Sequence, residues 1–157
     1  MKKQYYVAYG SNMNLEQMEH RCPTAKVVGK TVLKNYELTF RGREVGVATI
    51  ERKQDSEVPV LVWEIQPDDE KSLDVYEGYP HLYRKEYIPA KVGSEHTELM
   101  VYVMNEGRQL APPSMYYYNV IKEGYKSAEI DVKILDDYVL KNSDRIKHNQ
   151  RGQLWYY

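Results

Sequence analysis

Cysteine is almost absent from this 157-residue chain: Cys22 stands alone. One thiol excludes an intrachain disulfide and a cysteine-rich zinc site. The four histidines, at 20, 81, 96 and 148, are scattered without metal-ligand spacing, so no metal site is expected. Long apolar runs are missing too, and none approaches the roughly 18 residues a membrane span needs. The apolar stretch near the N-terminus turns polar at Ser11 and Asn12, too short for the core of a signal peptide. These absences predict a cytoplasmic protein with no membrane partner. Charge of one sign is not in excess either. With 22 basic and 23 acidic residues the net charge is −1, which offers no general field to draw in nucleic acid.

Phenylalanine is the last scarcity, a single residue, and it points to what is abundant: sixteen tyrosines. A tyrosine buries a ring but needs a partner for its hydroxyl. Most of the sixteen are expected in a core whose hydroxyls reach the surface or a polar cavity, with a few free to line a site for a polar ligand. The apolar share of 42% and the charged share of 29% are ordinary for a globular protein, and the length fits one domain over 1–157.

Patterning predicts the elements. A strand over 4–9 stops at Gly10-Ser11-Asn12, and Asn14 caps a short helix to about residue 20, ended by Pro23. Strands are expected at 26–32 and 36–40, with a turn at Arg41-Gly42-Arg43. Two more are expected at 45–51 and 58–65, around a polar connection over 52–57. Pro67 followed by Asp68, Asp69 and Glu70 starts a helix, since proline suits the first turn and carboxylates favour its positive end. Leu73 and Tyr76 share a face of that helix, and Gly78 can close it. Strands at 83–92 and 98–104 follow. A helix after Ala111-Pro112-Pro113-Ser114 carries Tyr117, Val120 and Ile121 on one face and ends at Gly124. A last helix starts near Asp131, with Ile134, Leu135, Tyr138 and Val139 facing the core, and a polar tail begins at about 142. Strands in runs with a few short helices favour an α+β fold around a small, mixed, barrel-like sheet, not a doubly wound one.

Three groups of residues could carry chemistry. At Tyr9-Gly10-Ser11-Asn12, glycine permits close backbone approach and consecutive amides can form a nest for an anion or a developing oxyanion. These are also ordinary turn residues. The segment has neither the three spaced glycines of a dinucleotide loop nor the Gly-Lys-Ser/Thr ending of a phosphate loop. Glu77 ends the helix before Gly78, where its charge opposes the dipole, and Tyr76, Tyr79 and Tyr83 would raise its pKa if they bury it. A raised pKa suits a carboxyl that shuttles protons near neutrality. The residues alone favour a solvated surface glutamate. Asp74, three residues earlier, is expected to face solvent. Cys22 with His20 or His81 is the rival nucleophile arrangement, but a small buried apolar role fits Cys22 better. The basic stretch 141–151 reads as a solvated tail or as a contact in a homodimer.

In combination these segments stop being generic. Ala8-Tyr9-Gly10-Ser11-Asn12-Met13 resembles the opening motif of the γ-glutamyl cyclotransferase-like family. Gly46-Val47-Ala48-Thr49-Ile50 resembles its second short signature. Leu73-Asp74-Val75-Tyr76-Glu77-Gly78, followed by Tyr83, resembles the segment with its catalytic glutamate, and Ala111-Pro112-Pro113-Ser114 with Tyr116-Tyr117 resembles a later segment that closes the site. The four occur in order across nearly the whole chain. The resemblance implies a barrel-like α+β fold and an enzyme that releases 5-oxoproline from a γ-glutamyl compound with no cofactor. It implies Glu77 as general acid/base and the amides of Tyr9, Gly10, Ser11 and Asn12 as holders of the γ-glutamyl part. Tyr83, Tyr102 and Tyr117 are similar to tyrosines lining the family's cavity, with Tyr116 replacing Tyr117 if the match slips by one. Pro80-His81 departs from the family where the leaving group would be touched. A γ-glutamyl amino acid or γ-glutamyl amine is the preferred substrate, since glutathione-specific relatives carry other motifs. A non-catalytic module that binds such compounds on the same fold is the alternative.

Overall fold

The computed structural model describes residues 3–154. Strand β1 (Gln4–Ala8) lies inside the sheet, antiparallel to β3 (Gly46–Ile65) and parallel to β5 (Glu95–Met104). Its Tyr5, Tyr6, Val7 and Ala8 are all buried, as expected of a strand covered on both faces. With β2 (Lys26–Gly42), β4 (Tyr83–Val92) and the two-residue β6 (Gln109–Leu110), the order is β4-β5-β1-β3-β2-β6. This is the expected α+β fold with a mixed sheet. β4 and β6 form its edges, so the sheet stays open. It curls into a barrel-like shape, held where the Met104 amide donates to Thr49 Oγ1 at 2.9 Å and the Tyr83 hydroxyl donates to the Ala48 carbonyl at 2.6 Å.

Where four strands were expected over 26–65, β2 and β3 form one long hairpin. The expected breaks survive as irregularities within it. Register jumps between Lys34↔Glu57 and Tyr36↔Arg52, with Asn35 and Asp55 at φ 67° and 65°. Asparagine and aspartate tolerate this left-handed conformation, so the polar connection over 52–57 is absorbed as a bulge instead of ending the strands.

Helix α1 (Leu15–Arg21) is capped by Asn14, whose side chain accepts from the Gln17 amide at 3.0 Å. In α2 (Pro67–Glu77) the cap is Gln66, in a capping box with buried Asp69. Ser114 caps α3 (Met115–Ser127), which runs past Gly124 because that glycine packs directly on Met13. Helix α4 (Val132–Leu154) continues through much of the segment read as a polar tail. Its inner face is set by Leu135, Tyr138, Val139 and Asn142, so Ile134 is left 38% exposed and not in the core as expected. Asn142 is buried, accepting from the Phe40 amide at 3.0 Å and donating to the Ala111 carbonyl at 3.2 Å. A polar residue on an apolar stripe hides such a role in the sequence.

Candidate active site

The chain leaves β1 at Ala8 and turns at once into a single 3-10 turn (Ser11–Met13). Asn12 anchors this turn with its side chain and carbonyl. Its Nδ2 donates to the Tyr6 hydroxyl at 2.9 Å, its Oδ1 accepts from Arg21 at 2.6 Å, and its carbonyl accepts from Trp63 Nε1 at 3.1 Å. The amides at the head of such a turn have no partner within it. Gly10 sits so close to its surroundings that a Cβ would meet Ala48 Cβ at 3.2 Å and the Tyr117 hydroxyl at 3.3 Å.

Glu77 comes from the opposite side. It is the last residue of α2, and Gly78 follows in the left-handed conformation at φ 61°, which turns the chain out of the helix. The carboxylate therefore stands at the negative end of the helix dipole. Burial pushes its pKa up from the usual 4.5 to about 7, against the pull of the Arg21 guanidinium. That guanidinium lies 3.5 Å from the centre of the Tyr76 ring. Among the described residues, Glu77 has no hydrogen-bond partner of its own.

The turn and the carboxyl meet at one cavity of about 190 Å³. Every residue expected at the site lines it: Tyr9, Gly10, Ser11, Asn12, Glu77, Tyr83, Tyr102 and Tyr117. Of the two candidates for the third tyrosine, Tyr117 lines the cavity and Tyr116 is 74% exposed. Tyr6, Val47, Ala48, Tyr76 and Leu82 line it as well. Tyr6 was missed because a tyrosine in an apolar strand reads as core. Tyr76 was expected to share a face of α2 with Leu73 and to lie near Glu77. Leu73 is buried, but Tyr76 is 42% exposed at the cavity, with its hydroxyl 2.8 Å from Ser11 Oγ.

The tyrosine hydroxyls differ in what they can still do. Tyr9 donates to the Tyr102 carbonyl and Tyr83 to the Ala48 carbonyl, both at 2.6 Å. Tyr102 donates to Asp74 Oδ1 at 2.6 Å. These three protons are committed, which leaves acceptor oxygens. Tyr117 instead accepts from the Ala48 amide at 2.9 Å, and Tyr6 accepts from Asn12, so both keep a proton to donate. Burial raises the pKa of Tyr6, Tyr9, Tyr83, Tyr102 and Tyr117, which keeps all five protonated near neutrality.

Asp74 does not face solvent as expected. Besides Tyr102 it holds Lys85, whose Nζ also reaches Glu70 at 2.6 Å. Cys22 is the expected buried group: its thiol contacts the Asp69 carbonyl at 3.5 Å, and burial pushes its pKa up to about 11. Among the described residues no cluster of three His, Cys, Asp or Glu side chains could hold a metal ion, and no helix is long and apolar enough to cross a membrane.

An open, curled α+β sheet that closes a tyrosine-lined cavity around one carboxyl titrating near neutrality defines a site for a small polar molecule. The family described as "Gamma-glutamyl cyclotransferase, AIG2-like" matches residues 6–125. Gamma-glutamylcyclotransferase of Homo sapiens is 27% identical over 161 residues, covering 90% of this chain and 85% of its own. That of Bos taurus is 31% identical over 135 residues, covering 77% and 69%. A solved structure titled "Gamma-glutamyl cyclotransferase" superposes with a TM-score of 0.76 at 24% identity, covering 87% of this chain and 86% of that one, and shares the fold. The chain belongs to the gamma-glutamyl cyclotransferase, AIG2-like family.

Proposed function

We propose that this protein is a γ-glutamyl cyclotransferase that releases 5-oxoproline from a γ-glutamyl amino acid or γ-glutamyl amine, with Glu77 as general acid/base and no cofactor. The observation that carries the reading is the pairing, across one small cavity, of a carboxyl with a pKa of about 7 and a turn of backbone amides.

The substrate supplies its own nucleophile. Its α-amine attacks the γ-carbonyl carbon, a ring-closing step favoured because both groups belong to one molecule. That amine has a pKa of about 8, so it arrives largely protonated. A carboxylate with the usual pKa of about 4.5 would accept the ammonium proton at a cost of about 5 kcal/mol, whereas one at about 7 does so for about 1. As the C–N bond of the ring forms, negative charge grows on the carbonyl oxygen, and the amides of Tyr9, Gly10, Ser11 and Asn12 receive it. Collapse of this intermediate breaks the bond to the departing nitrogen, to which Glu77 returns a proton. The protons lost by the attacking nitrogen end on the departing one, and Glu77 recovers its starting state. Tyr83, Tyr102 and Tyr117 wall the cavity and orient the γ-glutamyl half.

The test is a panel of γ-glutamyl amino acids and amines, with glutathione included, in which 5-oxoproline is followed by mass and Glu77→Gln is run in parallel. Ring-closed product from the parent and none from the variant supports the proposal. Free glutamate would instead make the enzyme an amide hydrolase, and binding without turnover would make it a γ-glutamyl binding module.

A further inference from the structure

Of the three cavity tyrosines whose protons point away from the cavity, Tyr9 and Tyr83 give them to backbone carbonyls. Tyr102 alone gives its proton to a carboxylate, Asp74. The carboxylate is itself clamped. Lys85 Nζ lies 2.9 Å from Asp74 Oδ1 and 2.6 Å from Glu70 Oε2, and Gln4 Nε2 donates to Glu70 Oε1 at 2.9 Å. The Lys85 side chain is only 13% exposed and stands 4.2 Å from the centre of the Tyr79 ring, so the cluster is fixed by packing as well as by charge. Glu70 and Asp74 lie one turn apart on α2, Lys85 on β4 and Tyr102 on β5. The cluster therefore joins the helix that carries Glu77 to two strands of the cavity wall.

A phenol can donate one hydrogen bond, and here the direction of that bond is decided outside the cavity. The Asp74 carboxylate, paired with Lys85, accepts the Tyr102 proton, which leaves the phenol oxygen only lone pairs for a ligand. A γ-glutamyl compound has two groups that need acceptors, the neutral N–H of its γ-amide and the α-ammonium, and the ammonium is the charged one with three protons to place. We propose that Asp74 is a positioning residue: clamped by Lys85 and Glu70, it fixes Tyr102 as a hydrogen-bond acceptor toward the cavity and thereby selects ligands with a free α-ammonium. This inference rests on the γ-glutamyl reading for its ligand but not on turnover.

The test pairs γ-glutamyl-alanine with glutaryl-alanine, the same molecule without the α-amine and unable to cyclise. KM for the first and the inhibition constant for the second are measured in the parent, Asp74→Asn, Tyr102→Phe and the double variant. The asparagine leaves the Lys85–Glu70 pair in place, so the fold is preserved, yet its amide can donate to Tyr102 and turn the phenol round. The expected result is a KM raised about tenfold in Asp74→Asn, the size of one hydrogen bond to a charged group. Glutaryl-alanine inhibition should stay within about twofold. Tyr102→Phe should match Asp74→Asn, and the double variant should be no worse than either, because the two act through one bond. Parallel losses for both compounds would show that the cluster only shapes the cavity, and further loss in the double variant would show that Asp74 does not act through Tyr102. Either result, or an unchanged KM, overturns the proposal. If the parent turns nothing over, the cyclotransferase reading falls separately. The same two compounds titrated by calorimetry then decide whether ammonium selectivity depends on Asp74.

Discussion

Replacing Glu77 by glutamine should make the protein more stable, and only above acidic pH. The folded state holds the Glu77 carboxyl at about 7, while the unfolded chain holds it near the usual 4.5. Between these values the folded state binds more protons than the unfolded one, so stability falls as pH rises. The loss begins near pH 4.5, is nearly complete at pH 7, and is flat beyond it. At about 1.4 kcal/mol per pH unit, it amounts to about 3 kcal/mol. Glutamine fills the same volume without the ionisation, so Glu77→Gln lacks this loss. Urea unfolding at half-unit steps from pH 4 to pH 9 should give matching stabilities at the acid end and a gap of about 3 kcal/mol in favour of the variant above pH 7. Under the proposed mechanism the same ionisation governs catalysis, so the pH–rate profile of the parent should inflect near 7. Parallel stability curves would refute the reasoning. They would mean that the carboxylate is solvated in the fold, and proton transfer from an amine of pKa about 8 would lose its matched acceptor.

Three further substitutions test the surroundings of that carboxyl. Arg21→Gln removes the cation that opposes the effect of burial on Glu77, so the pH–rate inflection should move above 7; an unmoved inflection would show that the charge is screened. Gly10→Ala places a Cβ at 3.2 Å from Ala48 and 3.3 Å from the Tyr117 hydroxyl, and should lower kcat/KM at least about tenfold while shifting the melting temperature by only a few degrees. Asn142→Ala leaves the Phe40 amide and the Ala111 carbonyl without their partner and should cost about 3 kcal/mol by urea unfolding, whereas a value near zero would mean that water replaces the side chain.

What could be read in the sequence, and what could not, divides by the range of the interaction. Gly10, Ser11, Asn12 and Glu77 were legible because each closes an element, at a strand end or a helix end, and because the ordered motifs around them resemble one family. Local pattern also located the capped helices and most strand segments. It broke the long hairpin in two, between 32 and 36 and at the polar connection 52–57, and pairing over the full length of β2 and β3 overrides those breaks. It also let α4 fade at Asn142, where a polar side chain finds its partners 102 and 31 residues away in sequence.

The same limit explains why Tyr9, Tyr83, Tyr102 and Tyr117 were expected at the cavity but Tyr6 was not, and why the polarity of none of them could be read. A sequence shows that Tyr6, Tyr83, Tyr102 and Tyr117 exist; it cannot show where each proton goes, because the partners are Asn12, Ala48 and Asp74 on other elements. Yet that polarity bears directly on function. A cavity lined by freely turning hydroxyls would accept an ammonium or a carboxylate with little preference. Here Tyr9, Tyr83 and Tyr102 are held as acceptors and Tyr6 and Tyr117 keep protons to donate, a division that under the proposed function would suit a ligand carrying both charges on one carbon. In the proposed mechanism Glu77, whose carboxyl has no hydrogen-bond partner among the described residues and is pushed by burial to a pKa of about 7, is the group in that wall whose proton moves.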